Sequence, residues 1–191
     1  MRKKVLISLV IVCALLIGTL IFLVVKEVYK SDLFKTPPKP EITYGEFPFK
    51  LEYELNGEKH IIEDVWVCEF DGFGSNEGFG KQRKWKGKVK GTGKDKIVLL
   101  DVKEPTTLGL FGDTPIKQII YFSPGSARYY MGDMIGVAGI YKNTFPDALY
   151  WEYSFPFTTC KGIVEKKELQ ERFNLRLTNW EIEPPIKNTF K

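Results

Sequence analysis

Phe49-Lys50-Leu51-Glu52-Tyr53-Glu54-Leu55-Asn56-Gly57 is the stretch that decides the fold. Phe49, Leu51, Tyr53 and Leu55 alternate with Lys50, Glu52 and Glu54, the period-two pattern of a strand with one face in a core and the other in water. Asn56-Gly57 supplies two residues that tolerate positive φ, which a tight hairpin turn requires. The return strand is expected over His60 to Phe70, where Ile61, Ile62, Val65, Trp66, Val67, Cys68 and Phe70 make both faces apolar towards the end, as in a buried central strand. Pro48 falls at the start of the first strand, where a missing N–H does least harm.

Outward from this hairpin the chain keeps the same period. Lys84, Lys86, Lys88 and Lys90 alternate with Trp85, Gly87 and Val89, so a strand here projects ammonium groups from one face. With Arg83 they form a candidate site for an anionic ligand, such as an envelope polymer or lipid headgroups. The plainer interpretation is an edge strand kept from aggregating by lysines. Strands are also expected over Lys96 to Val102, Lys117 to Phe122, Met134 to Tyr141, Leu149 to Phe155 and Leu175 to Ile182. In Leu149 to Phe155 the odd-numbered apolar residues are assigned to the core. One short helix is expected over Val164 to Phe173, with Leu169 and Phe173 four apart and Glu168 and Arg172 four apart on another face. The fold class is thus mainly β, an antiparallel sandwich or partly open barrel with one short C-terminal helix.

Between the second and third strands, Asp71 to Gly80 contains four glycines, but neither G-x-G-x-x-G nor the P-loop ending is present. A long hairpin connection is expected, with Phe73 and Phe79 tucked beneath it or offered as a binding tip. Asp71, Asn76 and Glu77 lack the ligand order of a calcium loop. His60 is the sole histidine and has no evident serine partner, so Ser123 and Ser126 are assigned to turns. No metal and no cofactor is expected.

Val5 to Val25 contains no charged residue and is long enough, at about 1.5 Å per residue, to cross a hydrocarbon core of roughly 30 Å as a helix. Arg2, Lys3 and Lys4 precede it and Lys26 follows, which favours an N-terminus in the cytoplasm. The run is longer than a cleaved signal's apolar region and continues into Lys-Glu-Val-Tyr-Lys, so residues 5–25 are expected to be an uncleaved transmembrane signal anchor. Residues 1–4 are then cytoplasmic, 26–40 a proline-containing stalk, and 41–191 an extracytoplasmic domain at a bacterial plasma membrane. Val12 before Cys13 argues against lipidation there.

The net charge of +4 comes entirely from this end, where Arg2, Lys3, Lys4, Lys26 and Lys30 face only Glu27. From Ser31 onward the charges cancel, which removes the argument for nucleic acid. The chain's fourteen Phe, nine Tyr and four Trp, all but Phe22 and Tyr29 from Ser31 onward, give the remaining part ample material for one core. If that part lies outside the cytoplasm, Cys68 and Cys160 are either one disulfide or two buried thiols, and spacing does not choose.

Tyr44 to Glu58, Cys68-Glu69-Phe70-Asp71-Gly72, Arg83-Lys84-Trp85-Lys86, and Ser123-Pro124-Gly125-Ser126-Ala127 followed by Tyr130-Met131-Gly132-Asp133 resemble a group of membrane-anchored proteins of Gram-positive bacteria. The resemblance implies a plasma-membrane location and assigns no activity, substrate or catalytic residue. Two functions are weighed. One is a tethered, non-enzymatic module that binds an envelope polymer or another membrane protein. The other is an envelope-acting hydrolase using Glu63, Asp64, Glu69 and Asp71, which needs two of these carboxyl groups held close together.

Overall fold

The computed structural model of the chain describes residues 15–26, 35–76, 80–109, 114–134, 143–155 and 158–191. They divide into two units, residues 1–39 with 72–84, and residues 40–71 with 85–191.

In the first unit, residues 15–26 are helical (α1). Leu15, Leu16, Ile17, Leu20, Ile21 and Phe22 are all exposed, so this helix presents apolar groups on every side and has no polar face. Among the described residues no helix is long and apolar enough to cross a membrane. Residues 5–14 of the expected span, Cys13 included, lie outside the described residues. The same unit ties down part of the expected stalk: Lys81 Nζ donates to Thr36 Oγ1 at 3.2 Å and Arg83 Nη1 to the Pro38 carbonyl at 3.1 Å.

The strands are β1 (Tyr44–Leu55), β2 (Glu58–Asn76), β3 (Gly80–Val89), β4 (Ile97–Val102), β5 (Lys117–Phe122), β6 (Ala148–Ser154), β7 (Thr158–Val164) and β8 (Leu175–Ile182). They build two four-stranded sheets, ordered β3-β2-β1-β8 and β4-β5-β6-β7. Every pairing with a described register is antiparallel. Two short helices interrupt them, α2 (Ala127–Tyr130) and α3 (Lys166–Phe173). The fold is mainly β, as expected from the alternation.

The opening hairpin forms as its sequence dictates. Asn56 and Gly57 adopt φ of 54° and 84°, and Leu55 pairs with Glu58 across the turn. Phe47, Phe49, Leu51 and Tyr53 turn inward while Glu46, Lys50, Glu52 and Glu54 do not. One apolar cluster joins the sheets, with Phe47, Leu51 and Trp66 from the first and Ile120, Phe122 and Tyr150 from the second. Trp180 bridges them, its ring 5.3 Å from Phe49 and 4.7 Å from Phe122. At β3 the core side is Gly87, where a Cβ would stand 2.2 Å from Cζ2 of the buried Trp66. Only a missing side chain lets that indole lie flat there.

Several local expectations are corrected. The stretch from Asp71 is strand up to Asn76, and β3 resumes at Gly80; Gly72 and Gly80 absorb φ of 78° and 72° while pairing continues. In β6 the buried side chains are Ala148, Tyr150, Glu152 and Ser154, so the predicted face is reversed and Phe155 is 72% exposed. The cause is polar and non-local: Glu152 Oε1 accepts the Leu108 N–H at 2.7 Å and Gln118 Nε2 at 2.7 Å, and Oε2 accepts the Gly109 N–H at 3.3 Å. A buried carboxylate is tolerated because these donors satisfy it. The strand β7 and the single turn α2 were not expected, and the helix α3 begins at Lys166 rather than Val164. Of the strand expected over Met134 to Tyr141, Met134 is irregular and exposed and the rest lies outside the described residues.

Residues 123–133 form a closely packed corner. Tyr130 and Met131 are fully buried, the Tyr130 ring lies 5.1 Å from Phe47, and its hydroxyl donates to the Pro124 carbonyl at 2.8 Å. Asp133, also fully buried, accepts from Trp85 Nε1 at 2.9 Å and faces Arg128 Nε at 3.7 Å. The C-terminal tail crosses this corner, where the Ile186 N–H donates to the Tyr130 carbonyl at 2.9 Å. Gly132, at φ 67°, leaves room for it, since a Cβ there would stand 2.5 Å from the Ile186 oxygen.

Candidate functional site

The lysine stripe lies on β3, an edge strand. Lys88 pairs with Glu69 at 3.0 Å, and Lys90 spans both oxygens of Glu46 at 3.1 Å. Glu46 is held below the usual carboxylate range, first by the Tyr44 hydroxyl and then by Lys90. Arg83 is buried and engaged with the Pro38 carbonyl, and the Lys84 stem packs against Gly74. Lys86 is exposed. Most of the charge in the predicted anionic-ligand set is thus already committed within the protein, as the edge-strand interpretation anticipates.

The four candidate carboxylates have separate surroundings. Asp64 accepts the backbone N–H of Val65 at 2.7 Å and of Gly91 at 3.1 Å, fastening the turn after β3. Glu69 is paired with Lys88, while Glu63 and Asp71 are exposed. His60 stacks on Tyr53 at 4.8 Å, and Ser123 accepts the Gly125 N–H at 3.3 Å, so neither forms a nucleophile–base pair with the other. Among the described residues no group of three His, Cys, Asp or Glu side chains is placed to hold a metal ion. Phe73 is exposed, whereas Phe79 and Glu77 lie outside the described residues.

Cys68 and Cys160 are both free thiols, on β2 and β7 of different sheets. Cys68 is fully buried, and burial pushes its thiol up to about 12. It is therefore inert as a nucleophile at neutral pH, whereas Cys160 is partly exposed. In the folded full-length chain a maleimide is expected to modify Cys160 and to spare Cys68 until denaturant is added. Peptide mapping of the alkylated sites checks this; labelling of Cys68 in the folded state would contradict its burial.

Surface depressions among the described residues differ in how far their polar groups are engaged. The one beside α3 has a volume of about 660 Å³, but Arg176 is bound to Glu54 at 2.7 Å and Gln170 to Asn174 at 3.0 Å. A second, of about 640 Å³, surrounds Lys50, which is bound to Glu52 at 2.7 Å. In the first, two of the lining pairs satisfy each other or a neighbouring strand, and in the second a mostly acidic lining surrounds an already ion-paired lysine.

The third, of about 260 Å³, differs in kind. Its walls include Trp85 and Tyr121, with Asp95, Lys96, Ser123 and Lys161 around them. Trp85 is fixed by its bond to Asp133, and Tyr121 is covered by Lys96 Nζ at 4.9 Å from the ring centroid. Neither Lys96, Lys161 nor Asp95 has an ion-pair partner among the described residues. Trp66 also lines this cleft and buries an indole N–H with no acceptor. The cleft therefore gathers aromatic walls and unspent polar groups. The lysine-stripe alternation pointed to β3, but the residues assembled here come from β2, β3, β5, β6, β7, α2 and two loops. Only their shared position reveals them.

Tyr121 and Leu149 alternate with buried positions of β5 and β6, and Lys161 is exposed on β7, so the cleft borders the outer face of the second sheet. On that face Trp151 stands opposite Lys161 in register and its ring lies parallel to Tyr153, 6.4 Å away. The chain matches no family model, no curated protein and no solved structure. The resemblance to membrane-anchored proteins rests on the quoted motifs alone, and of these Trp85 and Ser123 to Ala127 contribute to the cleft.

Proposed function

We propose that the chain is a membrane-tethered, extracytoplasmic binding module, without catalytic action, whose ligand occupies the cleft between Trp85, Tyr121, Lys96 and Lys161. The observation that carries this reading is the convergence of two uncompensated lysines and a free carboxylate on aromatic walls. Binding sites combine such apolar surface with a few polar groups that fix orientation. The hydrolase alternative has less support, because Asp64 and Glu69 are engaged as structural acceptors and no carboxylate pair is isolated from water. The tether is the uncharged run of residues 5–25, whose described part exposes apolar groups all round and would be satisfied by lipid.

The test uses the full chain in vesicles of phosphatidylglycerol and phosphatidylethanolamine, mixed with purified cell-envelope polymer and sedimented. Alkaline carbonate washing should leave the protein with the vesicles. Polymer retention should fall about tenfold in Lys96→Glu/Lys161→Glu, since each exposed charge reversal acts through attraction lost and repulsion gained. It should persist in Lys86→Glu/Lys88→Glu. The reverse pattern would move the site to β3 and overturn the assignment to the cleft.

A further inference from the structure

The buried Glu152 and Asp133 carboxylates are occupied by donors, and Lys50, Arg176, Lys88 and Lys90 of the larger depressions and the β3 stripe are ion-paired. The cleft differs in holding Lys96 and Lys161 without an ion-pair partner among the described residues, beside the aromatic strip of β6. We infer that the ligand is an anionic oligosaccharide, with an acidic sugar in the cleft and the following units along Trp151 and Tyr153. This assignment rests on the binding-module reading above.

Four features carry it. A pyranose ring has an apolar C–H face that lies on an aromatic ring, and the cleft offers Trp85 as a wall beside Tyr121, whose ring carries Lys96 Nζ at 4.9 Å. Its hydroxyls need both donors and acceptors, which Ser123 and Asp95 provide. A carboxylate or phosphate on the sugar would pair with Lys96 and Lys161, neither of which has an ion partner among the described residues. Finally, a volume of about 260 Å³ suits a small unit rather than a folded protein surface, and the register Trp151 to Lys161 gives a longer chain its exit. A neutral sugar would leave the two lysines uncompensated. A bare anion would leave the aromatic walls unused.

Intrinsic tryptophan fluorescence of the full chain in detergent micelles reads the site, because Trp66 and Trp85 line it. The probes are glucose, glucuronic acid, glucose 6-phosphate, a glucuronate-containing tetrasaccharide and inorganic phosphate. The acidic sugars are expected to bind about tenfold tighter than glucose, with the difference abolished in Lys96→Gln/Lys161→Gln. The tetrasaccharide should bind tighter than the monosaccharide, and Trp151→Ala should remove that gain while leaving monosaccharide affinity unchanged. Equal binding of glucose and the acidic sugars would overturn the inference, as would inorganic phosphate binding as well as glucose 6-phosphate. The same probes are then added to the vesicle assay as competitors. If polymer is retained through Lys96 and Lys161 but no saccharide displaces it, the sugar assignment fails and the binding module stands. If polymer retention ignores both lysines, the module reading itself fails.

Discussion

Asp133→Ala is expected to cost about 3–5 kcal/mol of stability, the usual penalty for removing one member of a buried charged network. Asp133 is fully buried, 2.9 Å from the Trp85 indole nitrogen and 3.7 Å from Arg128 Nε. The alanine leaves the indole N–H without its acceptor and removes the carboxylate that lies 3.7 Å from the largely covered Arg128 guanidinium. The loss would spread further than one contact. Trp85 packs edge-on against Phe70 at 5.4 Å, and the Asp133 N–H closes the turn after α2 by donating to the Arg128 carbonyl at 3.0 Å. Asp133→Asn separates the two contributions, since an amide oxygen still accepts from the indole but no longer balances the charge. It should fall between wild type and alanine. Urea unfolding followed by tryptophan fluorescence measures all three, and a loss below about 1 kcal/mol for alanine would mean that water replaces the carboxylate. The same variants should weaken ligand binding, because Trp85 is a wall of the cleft and would lose the bond that fixes its ring.

The role of Asp133 shows where sequence reading stops. Tyr130-Met131-Gly132-Asp133 is conspicuous as a motif, yet nothing in its spacing says that the carboxylate meets an indole 48 positions earlier. What is local was legible: Asn56-Gly57 made its turn, the alternation of β1 placed Phe49, Leu51 and Tyr53 inward with Leu55 half-buried, and Glu168 and Arg172 paired along α3. What depended on another part of the chain was not. Hydrophobicity alone assigns Trp151 and Tyr153 to the core, but the face of β6 is set by Glu152, whose partners lie in the loop at Leu108 and on Gln118. A strand flips both faces when its register moves by one residue, and here Ala148 and Tyr150 fill the core side while donors from elsewhere offset the cost of burying Glu152. The reversal has a functional consequence, because it leaves the aromatic strip on the outer surface beside the cleft. The four lysines of β3 were legible as a stripe, but the pairing of Lys88 with Glu69 and of Lys90 with Glu46 required the register of the whole sheet.

Above pH 9 the protein is expected to lose stability, with Cys68 as a principal cause. Its side chain is fully buried, and burial alone raises its pKa from 9.0 to about 12. The folded state therefore holds the proton over a range in which the unfolded chain releases it. Stability is full below pH 9, falls as pH rises, and levels off above the folded value near 12. The slope is about 1.4 kcal/mol per pH unit and the total on the order of 4 kcal/mol. Tyr130 acts in the same direction, since burial also raises its hydroxyl and disfavours the phenolate in the core. The contribution of Cys68 is isolated by comparison with Cys68→Ala, which loses some packing at every pH but has no thiol to ionise. Urea unfolding of both proteins with reductant present, at pH 8, 10 and 11, should show the wild-type advantage shrinking and then reversing. A constant difference would mean that the thiol does not titrate between the two states. Repeating the series without reductant decides the state of the pair, since a Cys68–Cys160 bridge has no proton to lose and would flatten the wild-type curve only under oxidising conditions. Two free thiols, as in this structure, give the same alkaline loss in both series.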